Sequence, residues 1–214
     1  VDIIPVDDTA GMVAAAGRAF LPIKANLMTL EPVAGIVEQA VAWTGHADIL
    51  INNAAIIRRA DAIDFTEKDW DDVLDINLKS VFFLSQAFAR QAMTREAPAK
   101  IINIASMLSF QGGIRIPSYT ASKSGVAGIT RLCACEWPPR GITVNAIAPG
   151  YFATNNTRQL RDDPDRSQAI LDRIPAGRWG LPADLGGAAV FLASHASDYV
   201  TGVILPVDGG WLVR

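Results

Sequence analysis

The 214-residue chain has few of the residues that mark disulfide-rich or metal-binding proteins. It contains only two cysteines and two histidines. Cys133 and Cys135 stand two positions apart, which puts them on different faces of a helix and matches no metal-ligand spacing, so reduced thiols are expected. His46 and His195 are isolated from each other and are too few to build a typical zinc site, so no metal is expected.

Long apolar runs and clusters of one charge are also missing. No apolar run reaches the roughly 18 residues that a membrane span requires, and no signal peptide is visible. Lys and Arg number 19 against 22 Asp and Glu, a net charge of −3, and the basic residues form no stripe. The sequence therefore predicts neither a membrane nor a nucleic-acid partner, and a cytoplasmic location is the expectation.

Short apolar runs alternate with longer helical patterns along the chain. The predicted strands are residues 48–52, 101–104, 142–147 and 203–207, and the predicted helices cover residues 33–41, 67–95, 118–137 and 183–192. Apolar runs bounded by turn residues are typical of a parallel sheet that is buried on both faces. The alternation predicts an α/β fold with a Rossmann-like, doubly wound parallel sheet in a single domain, residues 1–214. The polar, Arg-rich stretch 151–182 has no clear strand and is a candidate substrate lid.

Ligands of such sheets bind outside the carboxyl ends of the strands, so site residues are expected directly after a strand. Ser106 follows the second predicted strand, and Pro149-Gly150 follows the third. Asn52-Asn53-Ala54-Ala55 follows the first. These three segments are the predicted walls of a site.

Tyr119 and Lys123 stand four residues apart on a predicted helix, so both side chains can face one cleft. A free Tyr has a pKa near 10 and is a poor base at neutral pH. A fixed Lys cation beside it favours the phenolate and lowers that pKa, which suits a group that moves a proton at a carbonyl or alcohol oxygen. On its own the pair is more often an ordinary solvated helix face.

Taken together, these segments resemble the short-chain dehydrogenase/reductase family. The family pattern is Asn-Asn-Ala-Gly, a helix Asn, a Ser, Tyr-x-x-x-Lys, and Pro-Gly followed by Thr. This chain has Asn52-Asn53-Ala54-Ala55, Asn77, Ser106, Tyr119 with Lys123, and Pro149-Gly150 with Thr154. Ala55 replaces the usual Gly, which has a cost if that turn needs a positive φ. The resemblance extends over essentially the whole chain.

The resemblance implies hydride transfer between a nicotinamide cofactor and an alcohol or ketone. Tyr119 would be the general acid/base, Lys123 would lower the pKa of Tyr119 and bind the nicotinamide ribose, and Ser106 would polarise the substrate oxygen. Asn77 would hold a water that links Lys123 to solvent. The remaining predicted cofactor contacts are Asn26, Leu27, Asn53, Ala54, Pro149, Gly150 and Thr154.

The family's Gly-rich phosphate-binding turn is absent from these 214 residues. The apolar run Ile3-Ile4-Pro5-Val6 reads as the family's second strand, so Asp7 fits the position that holds the adenosine ribose, with Asp8 as the alternative. The Gly turn belongs about 20 residues before such an acid, so it is expected before Val1. Either the chain is part of a complete enzyme or it is a truncated product. A carboxylate at Asp7 would repel a 2′-phosphate, which favours NAD over NADP.

Within the family the resemblance is to dehydrogenases of deoxy sugar acids. It is carried by residues 102–113, 153–157, 174–180 and 207–211. A sugar-acid carboxylate suits an arginine fork. The candidates Arg58, Arg59, Arg115 and Arg178 lie after strand ends or in the candidate lid, and Arg115 ranks first because it is closest in sequence to Ser106 and Tyr119. Asn155 and Asn156 are candidates for hydroxyl contacts.

Two other functions remain open at this point. The first keeps the reaction and changes the substrate: a 3-oxoacyl-carrier-protein reductase or another polyol dehydrogenase. The second is a catalytically inactive Rossmann-like module that binds a partner. The family likeness also implies a homotetramer, in which Phe82, Phe83 and Phe88 and two glycines, Gly125 and Gly128, would pack either across subunits or inside one subunit.

Overall fold

The protein folds around one parallel sheet in this computed structural model, which describes all 214 residues, Val1 to Arg214. Four strands pair in the order β1-β2-β3-β4, all parallel. Their bounds are Ile49–Asn52, Ala99–Ile104, Ile142–Pro149 and Ile204–Val207 for β1 to β4. The four predicted strands are therefore confirmed, with ends that shift by two residues at most.

Eight helices surround the sheet. They are α1 Asp7–Ala15, α2 Val33–Thr44, α3 Glu67–Leu74, α4 Ser80–Thr94, α5 Pro117–Glu136, α6 Arg158–Arg161, α7 Pro164–Leu171 and α8 Gly186–Ala193. A π-helical segment, Asp75–Lys79, joins α3 to α4, so the long helix predicted over residues 67–95 is confirmed with a local change of winding. None of the helices combines the length and the apolar composition needed to cross a bilayer.

Both faces of the central strands are covered, as the apolar runs predict. Ile101 packs with α2, α4 and α5 in one cluster, whereas its neighbour Ile102 packs with Leu192 of α8 in another. Side chains alternate between the two faces of a strand, so adjacent isoleucines serve opposite layers. The predicted doubly wound architecture is confirmed.

The N-terminal residues differ from the prediction. Residues 3–6 form no strand, and Ile3 and Ile4 are 54% and 65% exposed. The strand-like pairing lies earlier, at a parallel bridge between Asp2 and Lys24. Asp7 instead begins α1 together with Asp8. Two carboxylates in the first turn stabilise the helix because its N-terminus is the positive end of the helix dipole. The prediction that Asp7 ends a strand is therefore wrong.

A chain of buried amides and hydroxyls connects the sheet to the helices that carry the site. Asn52 at the end of β1 donates from Nδ2 to Asn103 Oδ1 at 2.8 Å and to Ser85 Oγ at 2.9 Å. Asn103 donates in turn to Thr130 Oγ1 of α5 at 2.9 Å. Buried polar groups stabilise a fold only when their partners are present, so this network fixes how β1, β2 and α5 meet.

Removing the middle of that network is expected to destabilise the protein. Asn103→Ala leaves a donor of Asn52 without its partner inside the core, and the free energy of unfolding should fall by about 2 kcal/mol. Denaturant titration measures this. Thr143→Val is the control, because the buried Thr143 hydroxyl has no hydrogen-bond partner and its loss should be neutral or slightly stabilising. Equal losses in the two variants would contradict the role given to the network.

Candidate active site

The predicted site residues meet at the carboxyl edge of the sheet. Ser106 follows β2 directly, Gly150 follows β3, and the loop that begins at Asn53 follows β1. Tyr119 and Lys123 lie in the first two turns of α5, which begins with Pro117, a residue whose fixed φ suits the first helical position. The strand ends and one helix therefore carry residues that are far apart in the sequence to the same edge of the sheet. Asn53 and Tyr119, for example, are 66 positions apart.

Ser106 and Tyr119 are neighbours in the wall of one cavity. The Ser106 hydroxyl accepts a hydrogen bond from the Leu108 backbone N–H at 3.2 Å, which orients the hydroxyl at the start of a short 3-10 turn. Both residues line a cavity of about 300 Å³, at the lower end of the range for small-molecule sites. The arrangement allows both side chains to contact the same atom of a bound molecule.

Burial dominates the pKa of Tyr119 and raises it above the usual value of 10.0. Two neighbours act in the opposite direction: the Ser106 hydroxyl, by hydrogen bonding, and the positive charge of Arg59. Arg59 lines the same cavity, and its Nη2 donates to the Asn156 carbonyl oxygen at 3.0 Å. Arg59 is therefore a cation whose charge favours the Tyr119 phenolate.

Lys123 makes a contact that the sequence did not predict. Its Nζ donates to the Ile104 carbonyl oxygen at the end of β2 at 2.6 Å and lies 5.6 Å from the centroid of the Tyr119 ring. Burial lowers the pKa of Lys123 to about 8. Lys123 is not among the groups that shift the pKa of Tyr119, and the role predicted for it in lowering that pKa stays a prediction. Its direct contact ties α5 to β2.

Asn77 lies in the π-helical segment and is completely buried. Its side chain pairs with both backbone groups of Ile56, accepting from the N–H and donating to the carbonyl oxygen, each at 2.9 Å. It also donates to Ser122 Oγ at 3.3 Å. Asn77 thereby fixes the loop after β1 against α5. The water relay predicted for Asn77 stays a prediction, and the side-chain oxygen is already engaged by Ile56.

A second cavity, of about 610 Å³, brings together several of the predicted cofactor contacts and is the candidate dinucleotide cavity. Asn26, Leu27, Asn53, Ala54 and Thr154 line it together, at the carboxyl edge of β1 and beside the Asp2–Lys24 bridge. Its lining mixes amide and apolar groups. Ala55, also in the lining, does not have a positive φ, so the replacement of the family's Gly carries no backbone strain here.

The acidic residue of this second cavity is Asp2, whereas Asp7 is exposed on α1 and outside the lining. The Asp2 carboxylate accepts from the backbone N–H groups of Ile3 and Ile4 at 2.7 Å and 3.3 Å. The structure therefore does not bring Asp7 to this cavity as predicted, and Asp2 is the acidic candidate for the ribose contact. The sequence contained an indication of this alternative, because Asp2 also follows an apolar residue, Val1.

Pro149 and Gly150 lie where the resemblance predicted them. Pro149 ends β3 and pairs with Val207 of β4. Gly150 lines the 300 Å³ cavity, and a Cβ added there would lie 2.7 Å from the backbone of Asp208. Only glycine permits this close approach of the two strand ends.

The predicted substrate residues are only partly brought together. Arg115 points away: it forms an ion pair with Asp61 at 3.0 Å, is 61% exposed and is absent from the lining of either cavity. Arg178 is held by two hydrogen bonds to Asp184 and lines a separate small pocket. Asn155 lines the dinucleotide cavity, not the one beside Tyr119. The positions of Arg115 and Arg178 therefore do not support the substrate contacts predicted for them.

The cavity is lined instead by Arg59, one of the four candidates, and by two arginines that were not among them, Arg166 and Arg173. Arg59 follows β1, and Arg166 and Arg173 belong to the predicted lid, in and just after α7. The lining residues include no Asp or Glu. In a chain with a net charge of −3, this cavity is a local concentration of positive charge next to Ser106 and Tyr119, which suits an anionic molecule.

Comparison with known proteins agrees with the geometry. Residues 5–212 match the family described as enoyl-(acyl carrier protein) reductase. The chain is 64% identical to the 2-dehydro-3-deoxy-D-gluconate 5-dehydrogenase of Dickeya dadantii (strain 3937), over 100% of this chain and 85% of the relative.

Solved structures give the same family. One from Agrobacterium tumefaciens, described as a 2-deoxy-D-gluconate 3-dehydrogenase with bound NADP, is 53% identical with a TM-score of 0.88, over 97% of this chain and 82% of the other. A gluconate 5-dehydrogenase from Burkholderia cenocepacia, in complex with NADP and tartrate, is 39% identical with a TM-score of 0.92, over 97% and 81%. With Ser106 after β2 and Tyr119 and Lys123 on α5, these matches show that the chain belongs to the short-chain dehydrogenase/reductase family.

Proposed function

We propose that this protein is a nicotinamide-dependent dehydrogenase that acts on a hydroxyl or ketone of a deoxy sugar acid. The observation that carries the proposal is the cavity in which Ser106 and Tyr119 stand with three arginines and no acidic residue. Sugar-acid dehydrogenases among its relatives, and the tartrate bound to one of them, support an anionic hydroxy acid.

We propose that the cofactor binds in the larger cavity. Asn26, Leu27, Asn53 and Ala54 would hold the adenosine half, and Thr154 would stand on the side toward the nicotinamide. When bound, a nicotinamide supplies the acceptor or donor of the hydride.

The protein's own residues then handle the proton. For oxidation, Tyr119 Oη removes the hydroxyl proton while the Ser106 hydroxyl holds the same oxygen. Arg59 stabilises the phenolate, which burial alone disfavours. The contact between Lys123 Nζ and the Ile104 carbonyl oxygen keeps α5, and hence Tyr119, in place against β2. In the reverse direction Tyr119 returns the proton to the carbonyl oxygen.

A substrate panel on the purified protein tests this function. We expect oxidation or reduction of gluconate-type and 2-keto-3-deoxy sugar acids at rates well above those for uncharged polyols. Tyr119→Phe should lower kcat by at least about 100-fold, the lower range for loss of a positioned acid/base, with cofactor affinity nearly unchanged. Tyr199→Phe, at a fully exposed tyrosine, is the matched control and should leave kcat unchanged.

The rival functions give different results. Turnover of 3-oxoacyl thioesters without turnover of sugar acids would favour the carrier-protein reductase. No turnover of any substrate and no cofactor binding would favour the inactive binding module. Full activity of Tyr119→Phe would contradict the mechanism.

For the cofactor, we propose a preference for NAD that depends on Asp2. Asp2 is the only acidic residue in the lining of the dinucleotide cavity, and the one cation there, Arg58, faces Asp69 and Asp72 at 3.4 Å and 3.6 Å. A carboxylate beside the adenosine ribose repels a 2′-phosphate. The similar solved structures contain NADP, which favours the opposite preference. The contribution of Asp2 to cofactor choice is therefore the point to test.

Asp2→Asn should shift the ratio of kcat/KM for NAD to kcat/KM for NADP toward NADP by about 10-fold, the effect of removing one close like charge. Steady-state kinetics with both cofactors measure the ratio. Asp7→Asn is the control: Asp7 is exposed and outside the cavity, and the ratio should not change. A shift with Asp7→Asn and none with Asp2→Asn would restore the original assignment.

We also propose a cytoplasmic homotetramer. Free cysteines support a reducing compartment. Exposed apolar side chains on α4 and α5, Phe83 and Leu132, support association. Two residues considered for the interface pack inside the chain instead: Phe88 is buried in the core, and Gly125 lies against Leu78. Sedimentation equilibrium gives the number of subunits.

A further inference from the structure

Two of the three arginines in the substrate cavity have no hydrogen-bond or ion-pair partner for their guanidinium groups within the protein. Elsewhere in the chain Arg58, Arg95, Arg115 and Arg178 each lie within 4 Å of a carboxylate. The guanidinium groups of Arg166 and Arg173 form no ion pair and no hydrogen bond with the protein, although both line the cavity. A pair of guanidinium groups beside a cavity without acidic residues is a ready receptor for a carboxylate.

Arg173 is held in position by an aromatic floor. Its guanidinium carbon lies 4.1 Å from the centroid of the Trp211 ring. Trp211 is buried, donates from Nε1 to Gln111 Oε1 at 3.2 Å and packs edge-on against Tyr151 at 4.7 Å. Stacking on a fixed indole orients the planar cation while its N–H edge stays free to donate.

Arg166 is held by the start of α7. Asp163 caps this helix by accepting from the Arg166 backbone N–H at 3.0 Å. Ile170 and Ile174, one on α7 and one just after it, are buried in the cluster that also contains Trp211. The segment that carries both arginines is therefore anchored to the cavity wall.

The two arginines act on a different part of the cavity from Arg59. The positive charge of Arg59 acts on Tyr119 and Tyr151, whereas Arg166 and Arg173 act on Tyr151 and are not among the groups that shift the pKa of Tyr119. Positive charge is therefore present near Tyr119, from Arg59, and near Tyr151, from the two arginines of the predicted lid.

We propose that Arg166 and Arg173 form a carboxylate subsite that binds the acid end of the substrate and sets which of its carbons lies at Tyr119. The proposal rests on the proposed function, because it names how the sugar acid is held. A carboxylate bound there extends the sugar chain past Tyr151 toward Ser106, so a hydroxyl remote from the acid reacts. Arg59 remains at the reacting end.

The subsite predicts a selective loss. Arg166→Gln and Arg173→Gln should each lower kcat/KM for the preferred sugar acid by about 10- to 100-fold, the range for one hydrogen bond to a charged group, mainly through KM. The same variants should change kcat/KM for the primary amide of that acid by less than about 3-fold, because an amide gains little from the cation. Arg173→Lys, which keeps the charge without the fork, should recover part of the loss.

Arg158→Gln is the matched control. Arg158 lies on α6 in the same segment, bonds only to Asn155 and is outside the cavity lining. The Arg158→Gln substitution removes one positive charge from the region and leaves Arg166 and Arg173 in place. Unchanged discrimination between acid and amide in this variant separates direct binding from a general field effect.

The outcomes separate the two proposals. If the wild-type protein turns over sugar acids and Arg166→Gln and Arg173→Gln retain its preference for acid over amide, the subsite is wrong and the function stands. Equal losses for acid and amide would also overturn the subsite, since they would indicate disturbed folding of the lid. A wild-type protein inactive on every sugar acid would overturn both proposals.

Discussion

The site depends on how one buried cation is satisfied. Lys123 is almost fully buried, and a charged ammonium in that position is costly unless it is hydrogen-bonded. Its hydrogen bond to the Ile104 carbonyl oxygen meets that need at the last residue of β2. This contact fixes the distance between α5 and the strand, and Tyr119, one turn earlier on the same helix, is thereby placed opposite Ser106.

The electrostatics of the site follow from the same burial. Withdrawal from water raises the pKa of Tyr119 and lowers that of Lys123, so both groups are pushed toward their neutral forms. A phenol under those conditions needs a cation nearby to work as a base. Arg59 meets that need from the loop after β1, which Asn77 holds through both backbone groups of Ile56. The buried Asn77 side chain, in the π-helical segment, thus helps to hold the loop that places the Arg59 charge near the Tyr119 hydroxyl.

Most of the fold, and the Ser106-Tyr119-Lys123 set, could be predicted from the sequence. The predicted strands are short, mostly apolar runs such as 101–104, and a Tyr and a Lys four residues apart on a helix lie on the same side of it in any tertiary structure. Directions of long side chains could not be predicted. Arg115 is close to Tyr119 in sequence, yet its left-handed backbone and Asp61 turn it outward. Arg173, 54 positions after Tyr119, reaches the cavity because Trp211 supports it.

The N-terminal error has a similar cause. An apolar run such as Ile3–Val6 gives no indication of whether a partner strand lies beside it, and here these residues stay largely exposed while pairing ends at Asp2. The acidic pair Asp7-Asp8 was a helix-start signal that competed with the strand interpretation.

The role of Arg59 beside Tyr119 is tested most directly by the pH dependence of kcat/KM for oxidation in the wild type and in Arg59→Gln. If Arg59 is the cation that lowers the pKa of Tyr119, the acidic limb of the profile must move to higher pH in the variant; an unmoved limb would contradict it.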